Sequence, residues 1–519
     1  MTRTLLALFC AVTLSSCGSS SPTTTSGGNA MPFTSSPPPS AASGPAPTSY
    51  AQSALAIPVA LNDTFFGTKG TWSATVNDLW GFDMLSAFSQ FPLLSLPLQE
   101  IVVAIVDTGV DYDAPDLAGR LWMNGGERGD GKESNGIDDD GDGYVDDFLG
   151  WNWVNDNNNP LDDAGHGSHL AGTIAATGGN AEGVVGIAPW VRIMVLKVCD
   201  SRGSCLSSDV RAGIQYAVSH GAKVINISLG GAATASDTAA FDALITDAAN
   251  QGVVVVTAAG NSSTDATAVV PGNATHAVTV SAHADDGELC STFSNTGLKV
   301  DVSAPGCGFN GVSEISAILS VNSRRCGAGG TQSCCLRTPV GDGRYCHMKG
   351  TSMATPHVSG LAALAFTASP SATPLMVRQA LLKQSVKTAG MGAQDKSVQH
   401  GYGRASAAGL GAEASQAPGL KITSPRIFTS SANHTIQFRL EARSGEDVTW
   451  QMRAIPYSGT TNVNLSGGVA VGSGGTVLAG NSASLSQAWT PAGSGTFVVV
   501  VEAVAGGRIY RDSTALRAP

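Results

Sequence analysis

The sequence predicts an α/β domain, with a mostly parallel sheet flanked by helices, followed by a small all-β sandwich. Between about 101 and 368, short β-branched runs alternate with longer amphipathic ones, the pattern of repeated βαβ units. After about 411 the texture turns Ser/Thr/Gly-rich, with short alternating runs such as HTIQFRLEAR, VTWQMRAIP and GTFVVVVEAV. That texture predicts a separate sandwich over 420–519. At 519 residues the chain exceeds what one hydrophobic core serves, so several pieces are expected.

The chain opens MTRTLLALFCAVTLSSCGSS, with Arg3, an apolar run from Leu5 to Val12 and small residues before Cys17. This is the layout of an export signal over 1–16, too short to span a bilayer. Leu14-Ser15-Ser16-Cys17 resembles the lipobox of bacterial lipoproteins, which implies a diacylglycerol on the Cys17 sulfur and a membrane partner; an ordinary secretory signal cut nearby is the alternative. Residues 17–50 are almost entirely Ser, Thr, Pro, Gly and Ala, too poor in apolar surface to fold, and read as a tether. The folded body is expected over 51–412.

Within it the strand candidates are IVVAIVD (101–107), RIMVLKV (192–198), KVINIS (223–228), VVVVTAA (253–259) and AVTVSA (277–282). Helices are expected over 166–176, 207–219, 236–250 and 352–366. In open sheets of this kind, sites form at the carboxyl ends of the strands.

A net charge of −11, from 29 basic and 40 acidic residues, argues against nucleic acid as a partner. Ten cysteines less Cys10 and Cys17 leave eight, an even number that suggests disulfides in an exported protein. Paired C-x-x-C spacing for zinc is absent. The chain is expected to act as a monomer.

Four polar residues stand out. Asp107 ends an apolar strand and precedes Thr108-Gly109, so its carboxylate emerges at the sheet edge; a turn-capping Asp is the plain alternative. His166, in DDAGHGSHLAGTIAA, stands at the start of a small-residue helix. Ser352, in MKGTSMATPHVSGLAALAF, lies where a Gly turn runs into an Ala-rich helix, whose N-terminal N–H groups favour developing negative charge; an N-cap serine is the alternative. His357, five positions on, points well round from it. Asn261 ends VVVVTAAGN with an amide able to donate to an oxyanion.

DTGVD, GHGSHLAGTIAA, AAGN and GTSMATPHVSG, in that order, resemble the four signature blocks of the subtilase (subtilisin-like) serine proteases, over roughly 55–412. The resemblance implies a serine endopeptidase acting on extracellular proteins or peptides. Ser352 would attack the scissile carbonyl, His166 would carry the proton, Asp107 would hold the imidazolium, and Asn261 with the Ser352 N–H would bind the oxyanion. It further implies that Ser228, Leu229 and Gly230 pair with extended substrate and that Ala258, Ala259 and Gly260 form the opposite wall. Val269 would floor an apolar P1 pocket. A folded propeptide of the usual kind is not expected ahead of 51. The cysteine-bearing insertion over 322–347 would shape or brace the cleft.

NGIDDDGDGYVDD carries Asp138, Asp140 and Asp142 in D-x-D-x-D-G register, with Asp146 nearby, and this suits calcium. Leu149 at the twelfth position argues against a true EF-hand. Similar inserts occur in subtilases ahead of the histidine block, so a structural calcium held by these aspartates is expected; a solvated acidic loop is the alternative.

Overall fold

The computed structural model describes residues 49–415 apart from 59, 70–75, 95–96, 309–317, 326–335, 338–343 and 392–394, together with strands at 33–34 and between 420 and 518. The export signal, Cys17, most of the tether, and Cys326, Cys334 and Cys335 lie outside the described residues.

Seven strands form the central sheet: β1 Val102–Asp107, β2 Gly150–Asn152, β3 Arg192–Lys197, β4 Val224–Ile227, β5 Val254–Ala258, β6 Val278–His283 and β7 Val302–Pro305. Their spatial order is β7-β6-β5-β4-β1-β3-β2, and every pairing is parallel. Strands buried on both faces must be apolar almost continuously. The VVAIVD run of β1 meets this requirement, since all six of its residues are buried. Its side chains then divide by period two. Val103 and Ile105 join one core with Leu170, Ile174, Leu361 and Leu364. Ala104 and Val106 join the other with Val210, Ile214, Phe241 and Ile245.

Against those cores lie the helices α1 His166–Ala175 and α4 Thr351–Ala368 on one face, joined there by Trp80–Met84, Pro374–Lys383 and Leu410–Ser415, and α2 Ser207–Ser219 and α3 Ala235–Asn250 on the other. The five expected strands and four expected helices stand within about two residues of their predicted bounds. β2 and β7 were not anticipated, because three residues reading GWN and four reading VSAP carry no alternating run. From β1 the chain goes out to the edge strand β2, comes back to β3 beside β1, and then crosses to β4 on the opposite side of β1. Strand order therefore switches at β1 and β4, where a site is expected beyond their carboxyl ends.

From 420 onward, Leu420–Ser430, Asn433–Ala442 and Ser482–Trp489 form one antiparallel sheet. Val448–Tyr457, Val469–Val477, Gly495–Ala505 and Arg508–Ala518 form another. Disulfides join Cys199 to Cys205 and Cys290 to Cys307, and Cys346 is also disulfide-bonded.

Burial also fixes charge. It pushes His169 and His283 down to about 3, and His347, His357 and His400 down to about 4, so the folded protein keeps all five neutral. An unfolded chain binds those protons near pH 6.5, so stability present above that pH is lost as pH falls toward 4. Each such histidine contributes a slope of about 1.4 kcal/mol per pH unit inside that window. Asp116 and Asp147, raised by burial to about 6 and about 7, act in the opposite sense, as do Asp63, Glu127, Asp142, Asp162, Asp209 and Asp285, which burial also raises. The histidine contribution is expected to lower the melting temperature between pH 6.5 and 4.5, and a variant with His169 and His283 replaced by Asn that falls as steeply as the wild type in thermal scans would contradict this reading.

Candidate active site

Asp107 is the last residue of β1, and His166 is the first of α1. Both are buried, and His166 Nδ1 donates to Asp107 Oδ1 at 2.7 Å. That bond fixes the tautomer, leaving Nε2 as the acceptor. Nε2 is buried and has no hydrogen-bond partner. Asp107 Oδ1 also accepts the Thr108 N–H at 2.8 Å. A carboxylate so held orients the ring. His169, three residues on, donates instead through Nε2 to the Ile318 carbonyl at 3.0 Å.

Ser352 is the second residue of α4, after Gly350 at φ 150°, a conformation that suits glycine. Pro356 has no N–H, so the Ser352 carbonyl loses its ordinary helical donor. Ser228, just beyond β4, supplies the replacement: its hydroxyl donates to the Ser352 carbonyl at 2.9 Å. In return the Ser352 hydroxyl donates to the Ser228 carbonyl at 2.7 Å. The two residues are clasped reciprocally. At rest the Ser352 proton is thus directed to the Ser228 backbone, and His166 Nε2 makes no bond to it. Such bonds commonly tighten only once substrate is present. His357 turns Nδ1 onto Met353 O at 2.8 Å within its own helix.

Asn261, beyond β5, is buried. Its Oδ1 accepts both the Thr351 N–H and the Thr351 hydroxyl at 2.9 Å. Because an N–H must face an oxygen, Nδ2 is the remaining atom, and it is a buried donor with no partner. Gly260 N adds a bond to Thr351 Oγ1 at 3.2 Å, so the end of β5 and the start of α4 are locked together.

The two anticipated walls converge on one side chain. A Cβ on Gly230 would lie 2.8 Å from Val269 Cγ1, and a Cβ on Gly260 would lie 3.0 Å from Val269 Cγ2. Val269 therefore stands between them. Leu229 spends its side chain in the second core, which leaves its backbone for other contacts. Ala258 and Ala259 are buried at the end of β5.

A subtilase family model matches residues 99–405, which contain the whole of this arrangement. The chain belongs to the subtilase family. It is 34% identical over 302 residues to a thermophilic serine proteinase of Bacillus sp. (strain AK1), covering 58% of this chain and 59% of that one. It is 33% identical to thermitase of Thermoactinomyces vulgaris, covering 56% of this chain and 82% of that one. The chain thus spans about three fifths of the first of these relatives. A solved lanthipeptide protease shares the fold at TM-score 0.50 and 23% identity, covering 64% of this chain and 93% of that one.

Several residues of this subtilase site have no expectation behind them. Thr108, Asp162, Ser168, Asn226 and Thr351 act through side-chain bonds to groups distant in the sequence, and a short polar residue beside a motif gives no warning of that. The insertion stands on Ile318–Val321 paired with Tyr345–Met348. It is tied to α1 by Ser320 Oγ donating to His169 O at 2.8 Å.

In the acidic insertion, Asp138 accepts the N–H groups of Gly141, Asp142 and Gly143, and Asp146 accepts that of Gly136. Asp140 and Asp142 gather with His220 into one group that could hold a metal. Asp140 also gathers with Glu127 and Asp147 into another. Glu127 is 0% exposed, and its Oε2 has no partner.

Proposed function

We propose that the chain is a serine endopeptidase that cleaves exported or extracellular proteins. The observation that carries this is the 2.7 Å Asp107–His166 bond with a buried, partnerless Nε2, alongside Ser352 at the head of α4. Ser352 Oγ attacks the scissile carbonyl while His166 Nε2 takes its proton; His166 then protonates the leaving amine, and water repeats the sequence on the acyl-enzyme. The Asn261 amide and the Ser352 N–H hold the oxyanion. Backbone at Ser228, Leu229 and Gly230 receives extended substrate, facing Ala258, Ala259 and Gly260, with Val269 limiting P1 to apolar side chains. Labelling by a fluorophosphonate and cleavage of casein test the reading, and pure, folded protein that does neither overturns it.

The export signal and Cys17 lipid belong to the same proposal, as does a sandwich fold for 420–519. Two names among the relatives support export: an extracellular protease of Xanthomonas campestris and a cell wall-associated protease of Bacillus subtilis.

Calcium is proposed as a structural ion. Glu127, Asp140 and Asp147 fit it best, since their ligand atoms lie within 4.8 Å of one another and the orphaned Glu127 oxygen lacks a protein donor. Oxygen donors suit a hard cation. Asp138, Asp142 and Asp146 would shape the loop around it. The ion would supply positive charge to carboxylates that burial otherwise disfavours. Chelation is expected to lower the melting temperature by roughly 5–10 °C, reversibly on adding calcium. An unchanged transition in the presence of chelator would contradict it.

A further inference from the structure

We infer that Asp162 is a positioning residue for the reaction, holding β1 and α1 in register so that Asp107 and His166 meet. The inference rests on the reading of those two residues as the reacting pair.

Asp162 is fully buried four residues before His166. Its Oδ1 accepts from Thr108 Oγ1 at 2.9 Å, Ala164 N at 3.0 Å and Gly165 N at 2.9 Å. Its Oδ2 accepts from Ser168 N at 2.9 Å and Ser168 Oγ at 2.6 Å. Every one of these partners donates, so the group serves purely as an acceptor, which is the role of an ionised carboxylate. The donors come from both elements of the pair. Thr108 follows Asp107 directly, and its N–H already binds the Asp107 carboxylate. Ala164 and Gly165 lead into His166, and Ser168 lies on the first turn of α1.

The link closes a second time. Thr108 Oγ1 accepts the Gly167 N–H at 2.9 Å while donating to Asp162, and Ser168 Oγ, while donating to Asp162, accepts the Asp111 N–H at 2.8 Å. The strand end and the helix start are thereby stitched on both sides of the Asp107–His166 bond. Lys197 Nζ fixes the far side of Thr108 through its carbonyl at 2.7 Å. A carboxylate used only to cap a helix would need the Ser168 N–H alone; the bond to Thr108 is the one that capping does not require. Thr108 is therefore where the two roles separate.

The test compares Asp162→Asn, Thr108→Val and Thr108→Ser in the full chain, with kcat and KM on a peptide substrate normalised to active sites titrated to completion. Asp162→Asn sets a donor against donors and is expected to lower kcat about 100-fold, the scale of a misplaced reacting group, with KM nearly unchanged. Thr108→Val removes the cross-link while conserving shape, and is expected to lower kcat about tenfold. Thr108→Ser keeps the hydroxyl and is expected to recover most of that loss. If Asp162→Asn does not fold, the two Thr108 variants decide alone. A folded Thr108→Val with wild-type kcat, or variants that lose melting temperature while keeping kcat, would make Asp162 a structural cap and overturn the inference. Inactive wild-type protein would instead overturn the peptidase reading beneath it.

Discussion

Replacing Ser352 by Ala is expected to reduce kcat by about a million-fold with the fold intact, a magnitude carried over from subtilisin itself rather than read from this geometry. On the proposed mechanism the acyl bond forms at Ser352 Oγ, which this change removes. The change also removes the hydroxyl bonded to the Ser228 carbonyl, but the reciprocal bond from Ser228 to the Ser352 carbonyl remains, so the turn is retained. His166→Ala is expected to be comparably inactive, and the double variant no worse than either single one, because the groups act as a unit. Fluorophosphonate labelling should vanish with Ser352→Ala. Additive losses in the double variant, measured as kcat on a peptide substrate, would mean that the two side chains serve separate steps.

Asn261→Asp is expected to lower kcat by about 100- to 1,000-fold while leaving KM within a few-fold; the range is that of the corresponding amide in subtilisin. This substitution separates donor from scaffold. The Oδ1 that accepts from Thr351 N–H and Oγ1 is preserved, so the start of α4 keeps its anchor. Only the partnerless Nδ2 is exchanged for an oxygen, which repels a developing oxyanion instead of binding it. Asn261→Ala loses both functions, and its melting temperature should fall further than that of Asn261→Asp. Unaltered kcat in a folded Asn261→Asp would show that the oxyanion is held elsewhere.

Where side chains obey local periodicity, the sequence was informative. Five interior strands and four helices were legible because burial on both faces demands nearly continuous apolar runs, and helix packing demands small or apolar residues at helical spacing. β2 and β7 were not, since short edge strands owe their conformation to a neighbour rather than to their own residues. Asp107, His166, Asn261 and Ser352 were legible because each stands where a strand or turn hands over to a loop or helix. Asp162 was not, because nothing in DDAGHG distinguishes a carboxylate with five donors from the half-buried one beside it, which pairs with Lys197. In the acidic insertion, the D-x-D-x-D-G register drew attention to Asp138, and its neighbourhood to Asp146. Both face their own backbone, whereas Glu127 and Asp147, outside the register, are the buried members of a candidate metal group.

The clasp between Ser228 and Ser352 separates tuning from turnover. On the proposed reading, a peptide laid along 228–230 would be indexed to the Ser352 oxygen by main-chain geometry, whatever fills the pocket beyond. On that reading Val269 and its surroundings can be rewritten for new diets without disturbing the clasp that holds the attacking oxygen.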